Sequence, residues 1–243
     1  MVLYVVGEPY ARGFFCDDET LRYPDVPSTV SNKALYLGGI LIPVFVITAV
    51  EVYCHLTNRI PLDSTSSLHR ISGMKISPLL VRLVVSLRYF LFGACISQFV
   101  TDVAKYTIGR LRPHFWAVCV PNIDCSKVEP QFYVSNYTCL NPSWFDSRET
   151  KLSFLSGHAS FSFYGAVYLV MFLQCRDLLR LSKLARPVIQ TLLLMLAWFT
   201  ALTRVSDYKH HPTDVGAGIA VGAIVGFVTV SCLSVWLSLY LVL

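Results

Sequence analysis

The sequence predicts an all-α fold: a polytopic bundle of membrane helices with a polar loop region on one face. Two observations lead there. Of the 243 residues, 54% are hydrophobic and only 14% charged, against roughly 25% charged in an average soluble domain, and the mean hydropathy is +0.55. The apolar residues are also gathered into runs of the length needed to cross a hydrocarbon core, about 20 helical residues, and the loops between them alternate in charge. No linker, repeat or low-complexity tract divides the chain, so a single domain over residues 1–243 is expected. The net charge of +5 does not call for nucleic acid, because many lysines and arginines fall in short inter-span loops, as the positive-inside rule describes.

In chain order, residues 1–6 are apolar but too short to cross. Residues 7–33 set Glu8, Asp17, Asp18, Glu19 and Asp25 against Arg12, Arg22 and Lys33, a mildly acidic loop expected outside. Residues 34–53 form the first complete span, interrupted only by Glu51. The following stretch has Arg59, Arg70, Lys75, Arg82 and Arg88 against Asp63 and is expected in the cytoplasm. Residues 79–108 then run outward, with Asp102 and Lys105 one helical turn apart near the far end. Residues 113–157 are polar and contain the sequon Asn136-Tyr137-Thr138, a glycan acceptor only on the outer or lumenal side.

Residues 158–175 return inward to a basic loop, where Arg176, Arg180, Lys183 and Arg186 face the single acid Asp177. Residues 188–202 go out and 215–243 come back, and Gly218, Gly222 and Gly226 form a small-residue stripe that admits a neighbouring helix. Five complete spans put the start of the chain outside without a recognisable signal, and loss of a preceding span is the expected explanation. Cys16, Cys119, Cys125 and Cys139 fall on the oxidising side, where four cysteines allow three pairings. Cys54, Cys95, Cys175 and Cys232 are expected as buried small apolar residues.

With this topology three charged clusters converge on the outer face. KYTIGRLRP supplies Lys105, Arg110, Arg112 and Pro113; LSGH supplies Ser156, Gly157 and His158 at a helix start; TRVSDYKHHPTD supplies Arg204, His210 and Asp214. Arg112 and Arg204 sit where the positive-inside rule does not explain them. Arginines and free helix-start N–H groups suit a phosphate monoester, with its charge of about −1.5 to −2. If the chain turns helical after Pro212, Asp214 lies one turn from His210 and orients its ring, while His211, with Val215 four residues on, has no such acid. A zinc site from His158, His210, His211 and Asp214 is disfavoured, because adjacent histidines serve one metal poorly and three cations repel it.

These residues resemble the motifs of the type-2 phosphatidic acid phosphatase superfamily: K-x6-RP, P-S-G-H and S-R-x5-H-x3-D, with Leu155 in place of the proline and Thr203 in place of the serine. The surrounding text, RGFFCDDETLRYP and DVAKYTIGRLRPHF, is similar to the animal lipid phosphate phosphatases, whose members have six spans. The resemblance implies a phosphatase working through a phosphohistidine at His210, with Asp214 orienting it and His158 as acid and then base. Lys105, Arg112, Arg204, Ser156 and Gly157 would hold the phosphate, Asn136 would carry a glycan, and no metal cofactor would be needed. It implies lysophosphatidate, phosphatidate, sphingosine 1-phosphate or ceramide 1-phosphate as substrate, in the plasma membrane or endomembranes, with the site facing outside or the lumen. Membrane lipids are expected partners, nucleic acid is not, and a homo-oligomer stays open. A glucose-6-phosphatase-like enzyme for a soluble ester and a non-catalytic signalling scaffold are the alternatives.

Overall fold

The computed structural model describes residues 7–57, 70–71, 74–75, 77–129, 131–176 and 184–242. Among them the α-helices are α1 (Asn32–Leu56), α2 (Pro78–Ile108), α3 (Phe115–Cys119), α4 (Trp144–Glu149), α5 (Gly157–Cys175), α6 (Ala185–Ser206) and α7 (Pro212–Val242). Strands are two residues long: β1 (Phe14–Phe15), β2 (Arg70–Ile71), β3 (Met74–Lys75) and β4 (Tyr133–Val134), paired antiparallel as β1 with β4 and β2 with β3. The apolar start at residues 1–6, and Arg59, Asp63, Asp177, Arg180 and Lys183 of the basic loops, lie outside the described residues.

All five expected spans are helical. Four of them, α1, α2, α6 and the Pro212–Ser234 part of α7, are long and apolar enough to cross a membrane. The fifth, α5, is diluted by Ser160, Ser162, Tyr164 and Tyr168. The reason is its surroundings. Ala159, Tyr164, Tyr168, Leu169 and Phe172 are at most 2% exposed, so this helix packs against protein, where a hydroxyl can find a partner.

The chain forms two compact units. One comprises Asn32–Ser97, Phe161–Trp198 and Val221–Leu243. Its core holds Ile47, Phe90, Tyr164, Tyr168, Phe172 and Leu233, with Phe90 against Tyr164 at 5.7 Å and against Tyr168 at 5.2 Å between ring centroids. The buried phenols are satisfied, Tyr164 Oη donating to the Phe90 carbonyl and Tyr168 Oη to that of Ser86. The outward faces are as apolar as the core: Leu41, Phe45, Phe92 and Leu192 are all more than 60% exposed, which suits lipid rather than water. Cys54 is buried, but Cys95, Cys175 and Cys232 are exposed, contrary to expectation, because they lie on these outward faces.

The same unit buries one acid completely. Glu51 is 0% exposed, is paired with Arg176, lies 3.6 Å from Arg82 Nε and accepts from Ser86 Oγ at 3.0 Å. The small-residue stripe packs as expected at Gly226, where an added Cβ would stand 3.0 Å from the Tyr164 carbonyl oxygen.

The other unit comprises Met1–Ser31, Gln98–Ser160 and Phe199–Ala220. Its loop region is stapled by Cys16–Cys125 and Cys119–Cys139, which selects one of the three pairings. Phe14, Leu111, Phe115 and Val134 form a small core, and Phe14 meets Phe115, Trp116 and Tyr137 at 5.2–5.4 Å. Gly13 permits the β1–β4 pairing, since a Cβ there would stand 2.2 Å from the Val134 carbonyl oxygen.

Candidate active site

The residues of all three clusters belong to this second unit. The first cluster begins in the last turn of α2 at Lys105. Gly109, at φ +57°, ends the helix where a Cβ would stand 2.1 Å from the Tyr10 carbonyl oxygen, so the turn that releases Arg110 and Arg112 needs glycine. Two backbone bonds then register this segment on the one before the second cluster: Arg112 N donates to Thr150 O at 2.8 Å and Ser153 N to Arg110 O at 2.9 Å. A third, Ser156 N to Asp214 O at 3.0 Å, joins the second cluster to the third. Within the third, His210 N donates to Arg204 O at 3.1 Å.

Side chains converge on this frame. Lys105 Nζ lies 3.7 Å from where a Gly157 Cβ would be, and Arg204 Nη1 lies 3.4 Å from His158 Nε2. His210 is 4% exposed, and its Nδ1 is 2.7 Å from the Ser153 carbonyl oxygen. A carbonyl can only accept, so Nδ1 carries the hydrogen and Nε2 keeps its lone pair. Burial, then the charges of Arg112, Lys105 and His158, hold the imidazole well below the ordinary histidine range, which favours the neutral ring of a nucleophile. His158 Nε2 faces the Val30 carbonyl oxygen at 3.0 Å, closer than the Arg204 Nη1 donor at 3.4 Å, and the shorter contact puts a proton on this nitrogen.

Each arginine already has an acid. Arg112 Nη2 donates to Glu149 Oε2 at 2.9 Å and Arg204 Nη2 pairs with Asp207. Yet the Nε of both guanidinium groups is buried without a hydrogen-bond partner. A buried donor left unmade costs about 1–3 kcal/mol, and an oxyanion set between the two arginines would supply the acceptor.

The structure corrects the expected Asp214–His210 contact. The turn of helix that would bring residues 210 and 214 together is absent, because α7 starts only at Pro212 and His211 occupies the capping position. Asp214 therefore reaches back to His211, accepting from its backbone N at 3.1 Å and lying 3.2 Å from its Nδ1, the N3-to-N-cap half of a capping box. His211, expected to have no acid, has this one. Asp214 also accepts from Ser153 Oγ at 2.6 Å and Arg110 Nη1 at 2.5 Å. Ser153 thus bonds both residues, donating from its hydroxyl to Asp214 and accepting from the His210 ring by its carbonyl.

Ser153, Glu149, Asp207 and the Ser28–Val30 segment escaped the sequence reading. Only Asp207 had a signal, as a second acid inside the third cluster. Among the described residues no three His, Cys, Asp or Glu side chains are grouped to hold a metal ion, so the weighed set of His158, His210, His211 and Asp214 does not assemble as one ligand sphere. Asn136 is exposed in the loop following β4.

The model of the PAP2 superfamily matches residues 86–237. The chain belongs to that superfamily. The match encloses all three clusters of the site. The chain is similar to a Drosophila melanogaster protein named "Putative phosphatidate phosphatase", 43% identical over 244 residues, and spans 96% of itself and 64% of that protein. It is also similar to human phospholipid phosphatase 2, 39% identical over 233 residues, and to rat phospholipid phosphatase 1, 40% identical over 227 residues. These alignments take in 96% and 91% of this chain, and 77% and 75% of those proteins. A membrane-embedded PAP2 protein with its cluster residues in one unit accounts for both the apolar helix faces and the stapled loops.

Proposed function

We propose that this chain is a lipid phosphate phosphatase that hydrolyses a phosphate monoester through a phosphohistidine, without a metal ion. The observation that carries the reading is the buried His210, with Arg112 and Lys105 near enough to act on its ring and Arg204 beside His158, while Arg112 and Arg204 each bury an unpartnered Nε. His210 Nε2 attacks phosphorus in line as the bond to the ester oxygen breaks, and His158, an imidazolium once the phosphate dianion is bound, delivers its Nε2 proton to the departing alkoxide and becomes neutral. Water then attacks the phosphohistidine, His158 takes the water proton, and inorganic phosphate leaves with the His210 ring restored.

Lys105, Arg112 and Arg204, together with Ser156 and Gly157 at the first turn of α5, stabilise the oxygens that gain charge. Asp214 acts on the nucleophile by holding Ser153. The relatives' names speak of phosphatidate and phospholipids, and the apolar helix faces allow a lipid to keep its chains in the bilayer, so lysophosphatidate, phosphatidate, sphingosine 1-phosphate and ceramide 1-phosphate are the substrate class. The disulfides and the exposed Asn136 sequon support a site facing outside or the lumen.

The test is rapid quenching with ³²P-labelled phosphatidate in excess EDTA. An acid-labile, base-stable label on His210 is expected. A strict cation requirement, or labelling elsewhere, overturns the mechanism. Hydrolysis of glucose 6-phosphate but of no lipid overturns the substrate class.

A further inference from the structure

Resting on the phosphatase reading above, the geometry points to the Ser28–Val30 segment as the wall of the leaving-alcohol subsite and a determinant of which ester is cleaved. The residue that must protonate the leaving oxygen is His158, and the direction of its Nε2–H is marked by the Val30 carbonyl oxygen, 3.0 Å away. In a productive complex the leaving oxygen accepts that same hydrogen bond. It therefore takes the place of the Val30 oxygen, and the carbon bearing it lies against this segment, immediately before α1 begins at Asn32.

The segment is held to the phosphate-binding side by its own contacts. Thr29 donates twice to Asp207, from N to Oδ2 at 2.8 Å and from Oγ1 to Oδ1 at 2.7 Å. Asp207 in turn pairs with Arg204, and Ser28 Oγ accepts from Arg204 Nη1 at 3.4 Å. Two flanking contacts anchor the approach: Lys209 Nζ meets Asp25 Oδ1 at 2.5 Å, and the Tyr23 and Tyr208 rings stack at 4.6 Å. Thr29 is a positioning residue for Arg204, acting through Asp207. Val30 and Ser28 border the alcohol. None of the three belongs to the charged clusters that bind phosphate.

The subsite predicts a separation that a merely structural loop does not. With p-nitrophenyl phosphate the leaving group is a weak base that departs without a proton, so only phosphate binding and His210 matter. With lysophosphatidate and sphingosine 1-phosphate, the leaving carbon has a hydroxyl-bearing or an ammonium-bearing neighbour, which must fit against Ser28–Val30.

The experiment measures kcat/KM for these three substrates on full-length wild type, Val30→Gly, Ser28→Ala and Thr29→Val. The expected result for Val30→Gly is a change of roughly ten-fold in the ratio of the two lipids, the scale of one altered pocket contact, with p-nitrophenyl phosphate within about two-fold of wild type; Ser28→Ala, which also removes an acceptor from Arg204, should change the same ratio and lower all three substrates. Thr29→Val should lower kcat/KM on all three together, because it loosens Arg204, and Thr29→Ser, which keeps the donor, should restore it. If Val30→Gly and Ser28→Ala move the two lipids in parallel, or Val30→Gly lowers p-nitrophenyl phosphate as much as the lipids, the inference is overturned while the phosphatase reading stands. A wild type inert on all three overturns both.

Discussion

The two units bury charge in opposite arrangements. In the helical unit an acid is at the centre, with Glu51 fully enclosed by Arg176, Arg82 and Ser86. Of the atoms left unpaired there, Glu51 Oε2 and Arg82 Nε face each other 3.6 Å apart, and Arg82 Nη2 belongs to the same guanidinium. In the loop-bearing unit an imidazole is at the centre, and the arginines around it have their acids through Nη2 yet still bury an unpartnered Nε each. Similar residue types thus do different work. A cation shell around a carboxylate is electrically closed and holds helices; cations that bury unpartnered N–H donors beside an imidazole are open to an anion.

Breaking the comparison at its centre should produce the largest effect. His210→Ala should lower kcat by at least about 10⁴-fold, the scale for removing a nucleophile that acts as part of a unit, whereas His211→Ala should cost less than about ten-fold, the scale of a lost helix cap, about 1 kcal/mol. Parallel assays on the two variants decide this, and equal losses would place the nucleophile elsewhere.

In the other unit, Glu51→Gln leaves two buried guanidinium groups uncompensated and should destabilise the fold by about 3–5 kcal/mol. Thermal unfolding in detergent reads this directly, and the protein that remains folded should retain wild-type KM. Next in size is the loss of Cys16–Cys125 or of Cys119–Cys139, each expected to remove about 2–4 kcal/mol from the loop-bearing unit. Hydrogen exchange should show the loss in residues 10–23 and 115–140 and leave α1 protected.

The smallest effect sharpens the contrast by pH. Burial lowers His114 to about 4, with Arg112 and Lys209 pushing the same way against the Tyr208 carbonyl. The unfolded chain, with an ordinary histidine near 6.5, takes up the proton first. The stability contributed is therefore complete above about pH 6.5 and declines as pH falls toward about 4. A His114→Phe variant should show a midpoint flatter by a few degrees over that window, and an unchanged slope would remove His114 from the account.

Much of this was legible in the sequence. The apolar runs predict the five span helices, and the three clusters meet in one unit. Helical spacing predicts an Asp214–His210 contact, but Pro212 is the first helical residue and His210 lies before it, so the i,i+4 rule does not apply. Cys95, Cys175 and Cys232 are exposed rather than buried because span composition does not tell a lipid-facing surface from a core. Ser153 and Val30 act through their carbonyls, which every residue possesses, so no side-chain pattern could single them out.

The sequence by itself determined the membrane class, the family motifs and the identity of the charged groups, since these depend on composition and short spacings along one chain. Only the tertiary structure decided which cysteines pair, which carbonyl sets each imidazole tautomer, which histidine Asp214 holds and what stands before His158. Those are contacts between segments far apart in the polypeptide, and their partners are selected by the path of the backbone rather than by the residues' own chemistry.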